Sequence, residues 1–155
     1  MLKSFPIALL LGAAVLCLTE ASGCDGNRAT GPYFQDLIHP TPTDTIVYFY
    51  RDARPDAPKA SDWIYAFDQM IRIDPGGYTF QSIPPGRYLM SLKSKEHADN
   101  LWFDFARGQT TFLKWDYART AAGGYESKLV RVEPQQALQE LTACRLMQLD
   151  PGGRP

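Results

Sequence analysis

DTIVYFYRD, residues 44–52, is the stretch on which the fold turns. Ile46, Tyr48 and Tyr50 alternate with Val47 and Phe49, so both faces of an extended chain stay apolar until Arg51. Successive side chains of a strand point to opposite faces, and two apolar faces require cover on both sides. The stretch therefore reads as an interior strand of a sandwich.

Working outward, SDWIYAFD (61–68) predicts a second strand around residues 63–67, continued by MIRI at 70–73. DPGG (74–77) is a turn, with proline presetting one φ and glycine supplying a positive one. YTFQSI, the turn PPG (84–86) and RYLMSLKSK follow, the last with Tyr88, Met90 and Leu92 on one face. LWFDFARGQTTFLKWDY (101–117) predicts a hairpin. Its loop is Ala106-Arg107-Gly108 with Gly108 left-handed, and Leu101, Phe103 and Phe105 match Leu113, Trp115 and Tyr117 on one face. That register makes Trp102 and Phe112 cross-strand neighbours on the opposite face. AAGG (121–124) and the strand YESKLVRV (125–132) complete the series. The expected class is mainly β: an antiparallel β-sandwich of seven or eight short strands. Beyond Glu133 the spacing of Ala137, Leu138, Leu141 and Cys144 predicts one C-terminal α-helix over about 134–145, opened by Pro134 and packed over one end of the sandwich.

A chain of 155 residues has room for one domain. Lysine plus arginine number 16 against 17 acids, and the longest basic cluster is Lys93 with Lys95, so a nucleic-acid partner is not expected. Three cysteines, no CxxC and only His39 and His97 argue against a metal site or a disulfide framework. No cofactor is implied.

The first 23 residues have the form of a secretory signal peptide. Lys3 provides the positive start, residues 5–18 an apolar run, and Ala21-Ser22-Gly23 a small-residue stretch before Cys24. The 14 apolar residues would rise about 21 Å as a helix, short of the roughly 30 Å hydrocarbon core, which favours a removable signal over a permanent span. ASGC resembles the bacterial lipobox, whose cysteine thiol takes a diacylglyceryl group and becomes the first mature residue. The alternative is an ordinary signal cut near Cys24. Residues 24–43, with prolines 32, 40 and 42, then form a tether, into which Tyr33, Phe34, Leu37 and Ile38 bring the means to dock. The sandwich with its helix spans 44–149, and 150–155 reads as a disordered tail. Asp25 resembles the inner-membrane retention signal of enteric lipoproteins, which tilts an otherwise undecided membrane assignment toward the inner one.

TIVYFYR (45–51), IPPGRYLMSL (83–92) and FARGQTTFLKW (105–115) together resemble a family of domains of unknown function in bacterial lipoproteins. That family is similar to PEGA-type β-sandwich domains. The resemblance implies a sandwich at the periplasm-facing cell envelope and brings no activity or catalytic residue with it.

Several residues invite a chemical reading. Arg51 with Arg54 could clamp an anion, against a loop whose alternating charges pair among themselves. Asp99, Asp104, Asp116 and Glu96 could supply an acid/base pair, against a salt-bridged surface. His97 and His39 read as surface imidazoles, and Cys144 as a buried, inert thiol. Of Trp63, Trp102 and Trp115, the last falls on the core face. Trp102, Phe112 and Lys114 form the expected contact face. The expected function is a lipid-anchored, non-catalytic binding or assembly module meeting the membrane and an envelope protein or glycan. The alternatives are a carbohydrate- or peptidoglycan-binding module and a small envelope hydrolase.

Overall fold

The computed structural model describes residues 29–92 and 101–147. Nine strands and one helix follow in the order β1 (Thr45–Arg51), β2 (Asp62–Ala66), β3 (Gln69–Ile73), β4 (Gly77–Ile83), β5 (Gly86–Leu92), β6 (Leu101–Phe105), β7 (Thr110–Arg119), β8 (Tyr125–Val132), α1 (Pro134–Leu141) and β9 (Arg145–Leu146). They form two sheets, ordered β8-β7-β1-β4-β9 and β3-β2-β5-β6. The molecule is the expected mainly-β sandwich with a single C-terminal helix, but the described residues form nine strands instead of seven or eight. The larger sheet is mixed instead of antiparallel, with β1 parallel to β7 and β4 parallel to β9. The segment expected to be a signal peptide, Cys24 and the segment expected to be a disordered tail lie outside the described residues.

β1 is buried along its whole length and sits at the centre of the larger sheet, antiparallel to β4 and parallel to β7. Its two apolar faces serve two cores. Val47 and Phe49 point between the sheets, against Ile64, Ile71, Met90, Leu92, Phe105, Leu113 and Trp115. Ile46, Tyr48 and Tyr50 point to the outer face of the larger sheet, where Phe112, Val132, Ala137 and Leu141 meet them. The helix therefore packs on that outer face instead of over one end of the sandwich. Ala137 and Leu141 are fully buried there, and burying one such side chain contributes about 1.5–3 kcal/mol for leucine.

LWFDFARGQTTFLKWDY is an arch between the sheets and not a hairpin: β6 pairs with β5, and β7 pairs with β1 and β8. The faces assigned to Phe103, Phe105, Leu113, Trp115 and Tyr117 are inward, but they meet across the core instead of along a ladder. The connection is captured by β1. Thr45 Oγ1 donates to Ala106 O at 2.6 Å, Gly108 N to Asp44 O at 2.8 Å, and Ile46 N to Gln109 O at 3.1 Å. Gly108 is left-handed, φ 67°. β2 and β3, expected as one run, are instead a tight hairpin turning at Phe67 and Asp68, both at positive φ (53° and 59°). A phenylalanine is a costly occupant of that conformation. Its ring is held edge-on against Phe49, Tyr88 and Phe105, so core packing outweighs turn preference.

The helix ends at Leu141, before the expected 145, and the chain returns as β9 beside β4. The described part of the tether docks on β9 and the second core. Gly31 N donates to Leu146 O and Phe34 N to Cys144 O, each at 3.0 Å, and Ile38 N donates to Tyr48 Oη at 2.8 Å. Phe34 lies edge-on to Tyr48 and Tyr78. The larger sheet is thus covered outside as well as inside.

Candidate functional site: an ion network and a cationic groove

The covering of that outer face decides the fate of the expected contact face. Phe112 is buried, stacked on Tyr48 with ring centroids 5.5 Å apart. Lys114 is buried as well, its ammonium 2.8 Å from Asp52 Oδ2 and 2.9 Å from Glu140 Oε2. Trp102 is 55% exposed on β6 of the other sheet, opposite Leu89. Trp102, Phe112 and Lys114 are therefore not brought together. The assumed hairpin register was the cause: β6 and β7 belong to different sheets.

Around Lys114 the polar groups satisfy one another. Tyr50 Oη donates to Glu140 Oε2 at 2.7 Å, and Gln136 Nε2 donates to Glu140 Oε1 at 3.0 Å. Arg54 links Asp52 to Asp116, the latter at 2.7 Å, and its guanidinium lies 4.1 Å over the Tyr117 ring. Burial alone would depress Lys114, but its hydrogen bonds to Asp52 and Glu140 outweigh that and raise it. Burial would raise Glu140; the donors Gln136, Tyr50 and Lys114 hold it below the ordinary carboxylate range. Burial and the neighbouring Glu140 push the Tyr50 phenol far up. Cys144 Sγ sits 3.7 Å from Arg51 O and 3.6 Å from Glu140 O, and burial pushes its thiol up to about 12. A thiol so shifted is protonated at neutral pH and a poor nucleophile.

Arg51 has no exposed surface. Its guanidinium donates to Ala60 O and Pro58 O and stacks 4.0 Å over Trp115, whose Nε1 donates to Asp62 Oδ2 at 2.8 Å. Its Nε is the buried side-chain polar atom left without a hydrogen bond among the described residues. Burial pulls Arg51 below the ordinary arginine value, with the charge of Asp62 the largest opposing influence. Arg51 thus pins the loop over residues 52–61 and does not join Arg54 in an anion clamp; the mutually paired loop is what forms.

Asp104 is exposed and 4.0 Å from Arg87, while Asp116 is held by Arg54 on the other sheet. Glu96, His97 and Asp99 lie outside the described residues. His39 is exposed in the docked tether, and Trp63 is half-buried on β2. Among the described residues, no group of three or more His, Cys, Asp or Glu could hold a metal ion.

The pinned loop forms one wall of an open groove of about 380 Å³. Ala29 and Tyr33 of the docked tether, Pro75-Gly76 of the β3–β4 turn, and Ala143 and Arg145 form the rest. Its charged lining residues are Arg54, Lys59 and Arg145, all cations, and Arg145 stacks 4.1 Å over the Tyr33 ring. Stacking uses the face of a guanidinium and leaves the N–H groups at its edge for an anion. Lys59 and Arg145 were missed from sequence, because one lies in a loop of alternating sign and the other beyond the helix, where no periodicity marks it. On the outer face of the smaller sheet, Tyr65 and Met70 pair across β2 and β3 and are exposed, as is Trp102. No protein-family model and no curated protein matches this chain.

Proposed function

We propose that this protein is a lipid-anchored module of the bacterial cell envelope, facing the periplasm, that binds anionic groups in the cationic groove and does no chemistry on them. The observation that carries the binding role is the lining of the groove, three cations and no carboxylate. The anchor rests on ASGC and the apolar run before it, with Cys24 as the lipid-bearing residue and the inner membrane favoured by Asp25. The resemblance to envelope lipoprotein sandwiches of the PEGA type supports the same setting. The non-catalytic role is supported by the ion network. Lys114, Asp52, Glu140 and Tyr50 are already one another's partners, and the Cys144 thiol is held protonated. Growth of an expressing bacterium on radiolabelled palmitate tests the anchor. Label in the wild-type protein and none in Cys24→Ser supports it; unlabelled wild-type protein in the soluble fraction contradicts it.

A second reading, a carbohydrate- or peptidoglycan-binding module, draws on the exposure of Trp102 and Tyr65 on the smaller sheet, since aromatic faces stack on sugar rings. Sedimentation with purified peptidoglycan, lost in Trp102→Ala, would favour that reading over the groove.

A further inference from the structure

The groove has a definite place on the chain. Ala29 is part of its wall, and Cys24 precedes Ala29 by five residues. Five residues span at most about 18 Å when fully extended. Given the anchoring of Cys24 proposed above, on which this inference rests, the wall at Ala29 is confined to a shell that thin above the acyl chains. The potential of an anionic leaflet fades over about 8–10 Å at physiological salt, so it acts on the groove when the chain from Cys24 to Ala29 is less than fully extended.

The whole chain carries a net charge of −1, and any attraction to an anionic surface must therefore be local. The groove supplies that locality. Lys59 is exposed at its rim, Arg145 presents its guanidinium edge beside Tyr33, and Arg54 completes the set while tied to Asp52 and Asp116. We propose that the groove binds the phosphate headgroup of an anionic phospholipid in the leaflet that holds the Cys24 anchor, fixing the domain against the membrane in one orientation. Covalent attachment makes this an intramolecular event in effect, so a site of modest intrinsic affinity is occupied through high local lipid concentration. Tyr33 and the apolar turn Pro75-Gly76 lie in the same lining and suit the interfacial depth at which a headgroup meets its glycerol.

The test uses the whole protein as processed by the expressing bacterium, returned to vesicles of phosphatidylcholine alone or mixed with phosphatidylglycerol. A photo-crosslinking amino acid replaces Pro55 in the groove lining or, as control, the exposed Asp104 of the other sheet. The expected result is flotation with both vesicle types and a lipid adduct at position 55 confined to the phosphatidylglycerol mixture. That adduct should persist in millimolar inorganic phosphate. Lys59→Glu, at an exposed position, should lower it about five-fold or more without changing flotation, and Arg145→Gln should act in the same direction. Flotation with equal adducts in both vesicle types, or equal adducts at both positions, overturns the headgroup site while leaving the anchor standing. Complete loss of the adduct in phosphate also overturns it, in favour of a soluble anion. Failure to float with phosphatidylcholine vesicles overturns the anchor and this proposal together.

Discussion

Lys114 Nζ lies 2.9 Å from Glu140 Oε2, and this pair joins β7 to α1 through the covered face of the larger sheet. Both side chains are largely withdrawn from water, 10% and 24% exposed, so the pair is weakly screened. Lys114→Met would leave Asp52 and Glu140 without their shared cation, and should destabilise the fold by about 2–3 kcal/mol. Denaturant unfolding checks this. A double-mutant cycle with Glu140→Gln should give a coupling of at least about 0.5 kcal/mol, and additivity would mean the pair contributes nothing.

The same network sets a pH window. Glu140 is held below the ordinary carboxylate value, so its contribution is complete above that value and is lost as pH falls through the depressed one. Lys114 is raised, so its contribution is complete below the ordinary lysine value of 10.5 and is lost as pH rises through the raised one. Tyr50, also raised, adds to the alkaline loss once pH passes the ordinary phenol value of 10.0. Unfolding free energy against pH should show a plateau at neutrality with both flanks, and Lys114→Met should flatten the acid flank.

Phe112 and Trp102, expected as neighbours, should behave oppositely. Phe112→Ala removes a ring stacked on Tyr48 in the second core and should cost about 3–5 kcal/mol. Trp102→Ala removes an exposed ring that lies 5.1 Å from the Arg87 guanidinium and should cost under about 1 kcal/mol. Equal losses in thermal unfolding would contradict the two-sheet placement.

Gly31 sits where a Cβ would strike the Leu146 carbonyl. Gly31→Ala should therefore push the tether off β9, at a local cost of about 1–3 kcal/mol, and leave the inter-sheet core intact. Hydrogen exchange should accelerate at the Gly31 and Phe34 amides, which bond to Leu146 and Cys144, and stay unchanged in β1.

Much of this fold was legible because strand periodicity is local. The doubly apolar β1, the turn at Asp74–Gly77, the left-handed Gly108 and the start of α1 at Pro134 all rest on short-range chemistry. What failed was partnership. The faces of β6 and β7 were read correctly, but a hairpin and an arch place the same residues inward and differ only in which strand captures the backbone. Here β1 takes β7 through Thr45 and Ile46, a contact between positions about sixty apart in sequence. The positive φ of Phe67 carries no turn residue to announce it. The groove was illegible for the same reason, since the tether, the loop over 52–61, the β3–β4 turn and β9 meet only in the folded chain.

Intact mass of the protein extracted from the membranes of an expressing bacterium tests the anchored-module account most directly. The account predicts a chain beginning at Cys24 and carrying a diacylglyceryl group, with Cys24→Ser neither lipidated nor cut there. A wild-type chain without lipid, or one cut at another position, would contradict it.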